Sequence, residues 1–79
     1  MLNKEKYDKV FMESFSVEKS KLGDDLVYES VSEWDSVGHM GMIAELEETF
    51  DIMLETDDII DFSSYKKGME ILAKYNVEI

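Results

Sequence analysis

With no cysteine among its 79 residues, the chain is held together only by what its apolar side chains bury. Disulfide and thiolate-metal frameworks, the usual staples of a chain this short, are both excluded. The length allows one domain, residues 1–79, near the lower limit at which a core alone sustains a fold. A hydrophobic content of 44%, with four Phe, four Tyr and one Trp, supplies that core and separates the chain from disordered acidic segments.

The absence of proline and the spacing of the apolar residues point to helices. Tyr7, Val10, Phe11 and Phe15 recur at intervals of three and four and predict a first helix over Asn3–Phe15, with Asn3 as its cap. Between Ser16 and Asp35, Gly23, Asp24, Asp25 and four serines break every period, predicting a long loop with at most one helical turn. Leu22, Leu26, Val27, Val31 and Trp34 are its candidate packing residues. Met42, Ile43, Leu46 and Phe50 define a second helix, Ser36–Phe50, with Asp35 or Ser36 capping it and Glu47 at the border of its buried face.

Thr56 is the expected cap of a short third helix ending at Asp61, with Ile59, Ile60 and Phe62 inward and two acidic residues in the first turn. After the Ser63-Ser64 cap signal, Tyr65, Met69, Leu72 and Ala73, flanked by Ile71 and Tyr75, predict a fourth helix over Tyr65–Tyr75. Gly68 is its expected weak point. The expected architecture is all-α: a small irregular four-helix bundle with a long loop between helices one and two and a short third helix.

The formal charge of −11 repels phosphate backbones and anionic lipid, so nucleic acid and membrane surfaces are not the expected partners. Basic patches on other proteins are, with charge speeding encounter more than tightening the complex. No run approaches the roughly 18 apolar residues of a membrane span. The charged stretch Met1 to Tyr7 lacks the apolar run of a secretory signal, so the expectation is a cytoplasmic monomer.

Chemistry is sparse. His39 is the sole imidazole and lacks the second His, Cys or spaced carboxylates of a metal or catalytic site, so it is expected at the surface or on a partner. The run "ETDDIID" lacks the alternating oxygen ligands and central Gly of a calcium loop. Ser36 has no base and oxyanion hole to make it a nucleophile of hydrolysis. At a helix start it is either a cap or a handle, since a phosphodiester there would lie near free N–H groups and the positive end of the helix dipole.

The stretch "WDSVGHMGMIAELEETFDI" (34–52) resembles the acyl carrier protein family. Asp35, Ser36 and Val37 match its Asp-Ser-(Leu/Met/Val) attachment motif, and Leu46, Glu47 and Phe50 its Leu-Glu-x-x-Phe helix end. The order of a first helix, a long loop, a short third helix and a Ser-Ser before the fourth extends the resemblance over the whole chain. It implies that a phosphopantetheinyl transferase attaches 4′-phosphopantetheine from coenzyme A to Ser36, and that the arm carries acyl groups as thioesters. A covalent shuttle, not an enzyme, is then expected. It would serve acyl-loading and acyl-accepting enzymes of fatty acid, polyketide or related lipid biosynthesis through their basic docking patches. Asp35 would aid transferase recognition, Val37 and Met40 would form an apolar contact patch, and Glu47 and Glu48 would meet basic partner residues.

Two departures, "VSEWDSVGHMGM" in place of the housekeeping Asp-Leu-Gly pattern and the glycines at 38 and 41, favour a specialised carrier. Peptidyl carriers place Gly-Gly-x-Ser at the attachment site, which is absent, whereas D-alanyl carriers retain Asp-Ser, so a D-alanyl or aminoacyl carrier is the alternative within the family. From a different class, an unmodified acidic interaction module would use Ser36 only as a cap. In either case self-repulsion among the carboxylates predicts a melting temperature that rises from low to moderate salt. A thermal melt at the two ionic strengths measures this, and equal midpoints would contradict it.

Overall fold

The computed structural model describes residues 2–79, so Met1, the first residue of the charged N-terminal stretch, lies outside the described residues. Four α-helices and no strand are present among them: α1 Asn3–Phe15, α2 Ser36–Phe50, α3 Thr56–Asp61 and α4 Tyr65–Ala73. The chain is a small helical bundle, and none of these helices is long and apolar enough to cross a membrane.

Helix α1 buries Tyr7, Val10, Phe11 and Phe15, the expected stripe. Asn3 does not cap it. The cap position is Leu2, whose N–H is accepted by the Glu5 carboxylate one turn on (3.1 Å). With that donor satisfied from inside the helix, the Asn3 amide is free to donate to the Glu78 carbonyl (3.1 Å), tying the two ends of the chain. Ser16 ends the helix in the left-handed region, and Val17 N–H returns to the Met12 carbonyl (3.3 Å).

The long loop contains one 3₁₀ turn, Lys19–Lys21, and is otherwise pinned by packing. Leu26 and Trp34 enter the core. Tyr28 N–H donates to the Ser63 carbonyl (2.8 Å) and Tyr65 N–H to the Leu26 carbonyl (2.9 Å), an isolated antiparallel bridge centred on Val27 and Ser64. Because neighbouring residues of extended chain face opposite ways, inward Leu26 turns Val27 outward, against the expectation that Val27 packs inside.

Met42, Ile43 and Leu46 bury one face of α2, chiefly against α1, with Phe50 packed beside them. Helix α3 starts differently from expectation: Glu55 holds the cap position without a side-chain bond, and Thr56 is already helical. Its anchor is Asp58, a buried carboxylate that receives Lys74 Nζ and the Tyr75 hydroxyl from the end of α4. Asp58 and Phe62 are four residues apart and face inward together, which leaves Ile60 on the opposite side and exposed rather than buried as expected.

Ser64 caps α4, accepting from Lys67 N–H (2.9 Å). The helix stops at Ala73, two residues short of expectation, because Lys74 and Tyr75 turn back onto the Ile71 and Leu72 carbonyls (3.0 and 2.9 Å). That closure aims the Tyr75 hydroxyl at Asp58. Ile71 and Leu72 take the core positions, and Ala73 is exposed. Gly68 is a point of close approach and not a weak point: a Cβ there would overlap the Phe62 ring and the Tyr7 hydroxyl. Beside it Tyr7 donates to the Tyr65 carbonyl (2.5 Å), and buried Asp8 receives the Tyr65 hydroxyl and Lys4 Nζ, so α1 and α4 share a polar clasp. Burial pushes the Tyr7 phenol far above its ordinary range.

The Lys74 ammonium, and then the Tyr75 hydroxyl, hold the Asp58 carboxyl below its ordinary range. A carboxyl depressed on folding stabilises the fold above its unfolded value of about 3.9 and ceases to do so as pH falls through the folded value. Melting temperature should therefore drop on acidification from about pH 5 to below about pH 3, and Asp58→Asn should flatten that limb. An acid limb identical in the two proteins, followed by circular dichroism, would refute the assignment.

Candidate functional site

The first turn of α2 gathers most of what the chain has for chemistry. Asp35, in extended conformation, caps the helix: its Oδ1 accepts Gly38 N–H (2.8 Å) and its carbonyl accepts His39 N–H (2.7 Å). Of the two expected caps, Asp35 does the work. Ser36 is consequently the first helical residue with an exposed hydroxyl spared from capping, 3.2 Å from the Tyr28 hydroxyl. The leading N–H groups of a helix have no intrahelical partners, so the surroundings of Ser36 favour negative charge.

Of the remaining candidate residues, Val37 (82% exposed) and Met40 (53%) stand on the surface around Ser36, an apolar rim on an otherwise acidic helix. Glu47 and Glu48 lie 11–12 residues further along α2, about 17 Å down the axis at 1.5 Å per residue, and so belong to a separate part of its surface. Glu48 is exposed. Glu47 is half-buried, and its carboxylate accepts Leu54 N–H (2.9 Å), fixing the chain that leads into α3.

His39 departs most from its expected place at the surface. Its ring is half-buried and engaged at both nitrogens. Trp34 Nε1–H lies 2.9 Å from Nδ1. An indole N–H can only donate, so Nδ1 accepts, Nε2 carries the proton, and Nε2–H donates to the Ile59 carbonyl (2.8 Å). This is the one hydrogen bond that joins α2 to α3 among the described residues. The clue in the sequence was a donor-only indole five residues before the only imidazole, across a helix start. The carbonyl that completes the pair comes from α3 and has no sequence signature.

Between α2, α3 and Tyr28 lies an apolar cavity of about 350 Å³, lined by Ser36, His39, Met40, Ile59, Ile60 and Phe62 with Tyr28 and Ser63. Ser36 and Met40 belong to both the helix start and the cavity, so the exposed hydroxyl opens beside an apolar space. Gly38 permits the loop to cross this closely: a Cβ there would overlap the Glu33 carbonyl, whereas one on Gly41 meets nothing.

Compared with models of known protein families, with curated proteins and with solved structures, the chain matches none.

The two glycines predict opposite effects of one substitution. Gly41→Ala should stabilise by about 0.5–1 kcal/mol, the gain of alanine over glycine in an open helical position. Gly38→Ala must displace backbone and should cost about 1–3 kcal/mol despite the same propensity gain. Urea midpoints moving in the same direction would contradict this account of the helix start.

Proposed function

We propose that the chain is a carrier, bearing acyl groups as thioesters on a 4′-phosphopantetheine arm attached to Ser36 and delivering them to enzymes of fatty acid, polyketide or related specialised biosynthesis in the cytoplasm. The observation that carries this reading is the division of labour between Asp35, which caps α2, and Ser36, whose exposed hydroxyl has no part in capping. A residue needed only as a cap would contribute on the order of 1 kcal/mol to the helix, and that contribution already comes from its neighbour.

Attachment exchanges a phosphoanhydride for a phosphodiester. The Ser36 Oγ–P bond forms, the bond from that phosphorus to the adenosine 3′,5′-bisphosphate of coenzyme A breaks, and the hydroxyl proton passes to a base of the transferase. The surroundings of Ser36 fit the product. The leading N–H groups of α2 offer favourable electrostatics to the phosphate, and the Tyr28 hydroxyl is within reach of the same oxygen. The arm supplies the thiol that the chain, without cysteine, lacks. Exposed Val37 and Met40 supply an apolar patch for the transferase and for loading enzymes, with Asp35 beside them, while Glu48 and the edge of Glu47 face basic docking residues.

Intact mass after incubation with coenzyme A and a broad-specificity phosphopantetheinyl transferase tests the reading. The wild type should gain one phosphopantetheine, and Ser36→Ala should gain none while keeping the wild-type circular dichroism spectrum. A gain that persists in Ser36→Ala, or no wild-type gain with a transferase active on a control carrier, would overturn it. The second result would favour the unmodified acidic module.

A further inference from the structure

The cavity beside Ser36 has a rim and a floor of different character. Its rim, Ser36, Met40 and Ile60, is exposed, and the unbranched Met40 side chain there can shift between rotamers. The His39 ring in its wall cannot. The Trp34 indole holds Nδ1 and the Ile59 carbonyl holds Nε2, while the Tyr28 and Phe62 rings stand edge-on at 5.7 and 6.2 Å. The imidazole and indole planes lie within 12° of each other with centroids 6.3 Å apart and a hydrogen bond along their edges, so the rings are side by side in one flat partition. The core rings Trp34, Phe11 and Phe15 are fully buried and contribute nothing to the cavity lining.

Resting on the reading of Ser36 as an attachment point, we infer that His39 is the specificity-determining residue of this cavity, a rigid stop that limits how far an apolar chain tethered at Ser36 enters the molecule. The occupant this geometry selects is a short, uncharged aliphatic chain. The volume lies near the lower end of the roughly 300–1,000 Å³ spanned by small-molecule sites. No carboxylate lines the cavity, so the ammonium of an aminoacyl group would be buried there without a counter-charge. The stop is stiff because moving the ring breaks two hydrogen bonds at once and leaves a buried indole N–H unpaired.

The absence of cysteine allows a test that needs no transferase. Ser36→Cys provides a single thiol, which alkyl methanethiosulfonates of increasing length convert to mixed disulfides with loss of methanesulfinate. Melting temperature should rise with each carbon that enters the cavity, by up to roughly 3–6 °C, and then level off where the chain meets the ring. Adding His39→Ala should move the levelling point to chains longer by roughly two to three carbons, the room vacated by one ring. Met53→Ala, at an exposed residue outside the cavity lining, should leave it in place. Should the His39→Ala protein not fold, nuclear Overhauser contacts in the Ser36→Cys parent decide: at the levelling length the terminal methyl should touch the His39 ring protons and not those of Trp34. A levelling point unmoved by His39→Ala, a melting temperature independent of chain length, or methyl contacts to Trp34 or Phe15 would overturn the inference. Because the tether is chemical, any of these outcomes leaves the phosphopantetheine result on Ser36 to stand or fall separately.

Discussion

The burial of Trp34 is the constraint on which the rest of the molecule depends. Its ring stacks on Phe15 at 4.8 Å with planes 13° apart and meets the edge of Phe11 at 5.6 Å, so the last residues of a long loop are fastened to the face of α1. Offset and edge-to-face pairs of this kind are worth about 0.5–1.5 kcal/mol each beyond the area they bury. Asp35 and Ser36 follow immediately, so the place where α2 begins is set by where the indole sits. A loop of this length without such an anchor would leave the helix start free to drift.

Burying an indole requires a partner for its N–H, and the partner chosen couples the core to the surface site. His39 accepts that hydrogen and passes its own to the Ile59 carbonyl. Helix α3, with six residues, is too short to be stable alone. It is held at Asp58 by the end of α4 and at Ile59 by His39 of α2, two adjacent residues bound by two different helices. The cavity lies on the His39 side of this arrangement, between helices that share one hydrogen bond. Asp58, which carries the ionic anchor of α3, is not among the residues that line the cavity.

Local patterning in the sequence was sufficient for the intervals Asn3–Phe15 and Ser36–Phe50, each with an apolar stripe, and for the end of α3 at Asp61 but not its start, where Thr56 is helical and not the cap. It failed where a distant group decides. Ile71 and not Ala73 enters the core because α4 turns Gly68 against Phe62 and Tyr7, and Ile71 lies three residues further on the same face. Gly68 looks like a helix defect until Phe62 and Tyr7 are brought against it, and Gly38 until the Glu33 carbonyl is. Asn3 has the chemistry of a cap, but Glu5 reaches back first. At the site, Asp35 and Ser36 were legible as a pair and their separate duties were not, since either oxygen could have taken the Gly38 N–H. His39 was illegible because its surroundings come from three parts of the chain: Trp34 of the loop, Tyr28 earlier in that loop, and Ile59 of α3.

The same separation of duties explains how a domain this small can set aside residues for a proposed role in carrying cargo. A chain with so little core has few interactions to spare, and each side chain at the start of α2 that the fold requires is matched to a structural partner: Asp35 to Gly38, Trp34 to His39, His39 to Ile59. What remains, Ser36, Val37 and Met40, projects outward with at most a hydroxyl contact to Tyr28. Replacing the hydroxyl hydrogen of Ser36 by a larger group removes no buried contact and no cap, so the covalent change has little effect on the fold. The fold acts in the opposite direction, because the imidazole that the buried indole holds at the helix start is the same ring that lines the space beside it. Rigidity needed to place Ser36 and rigidity needed to limit its cavity therefore have one physical source.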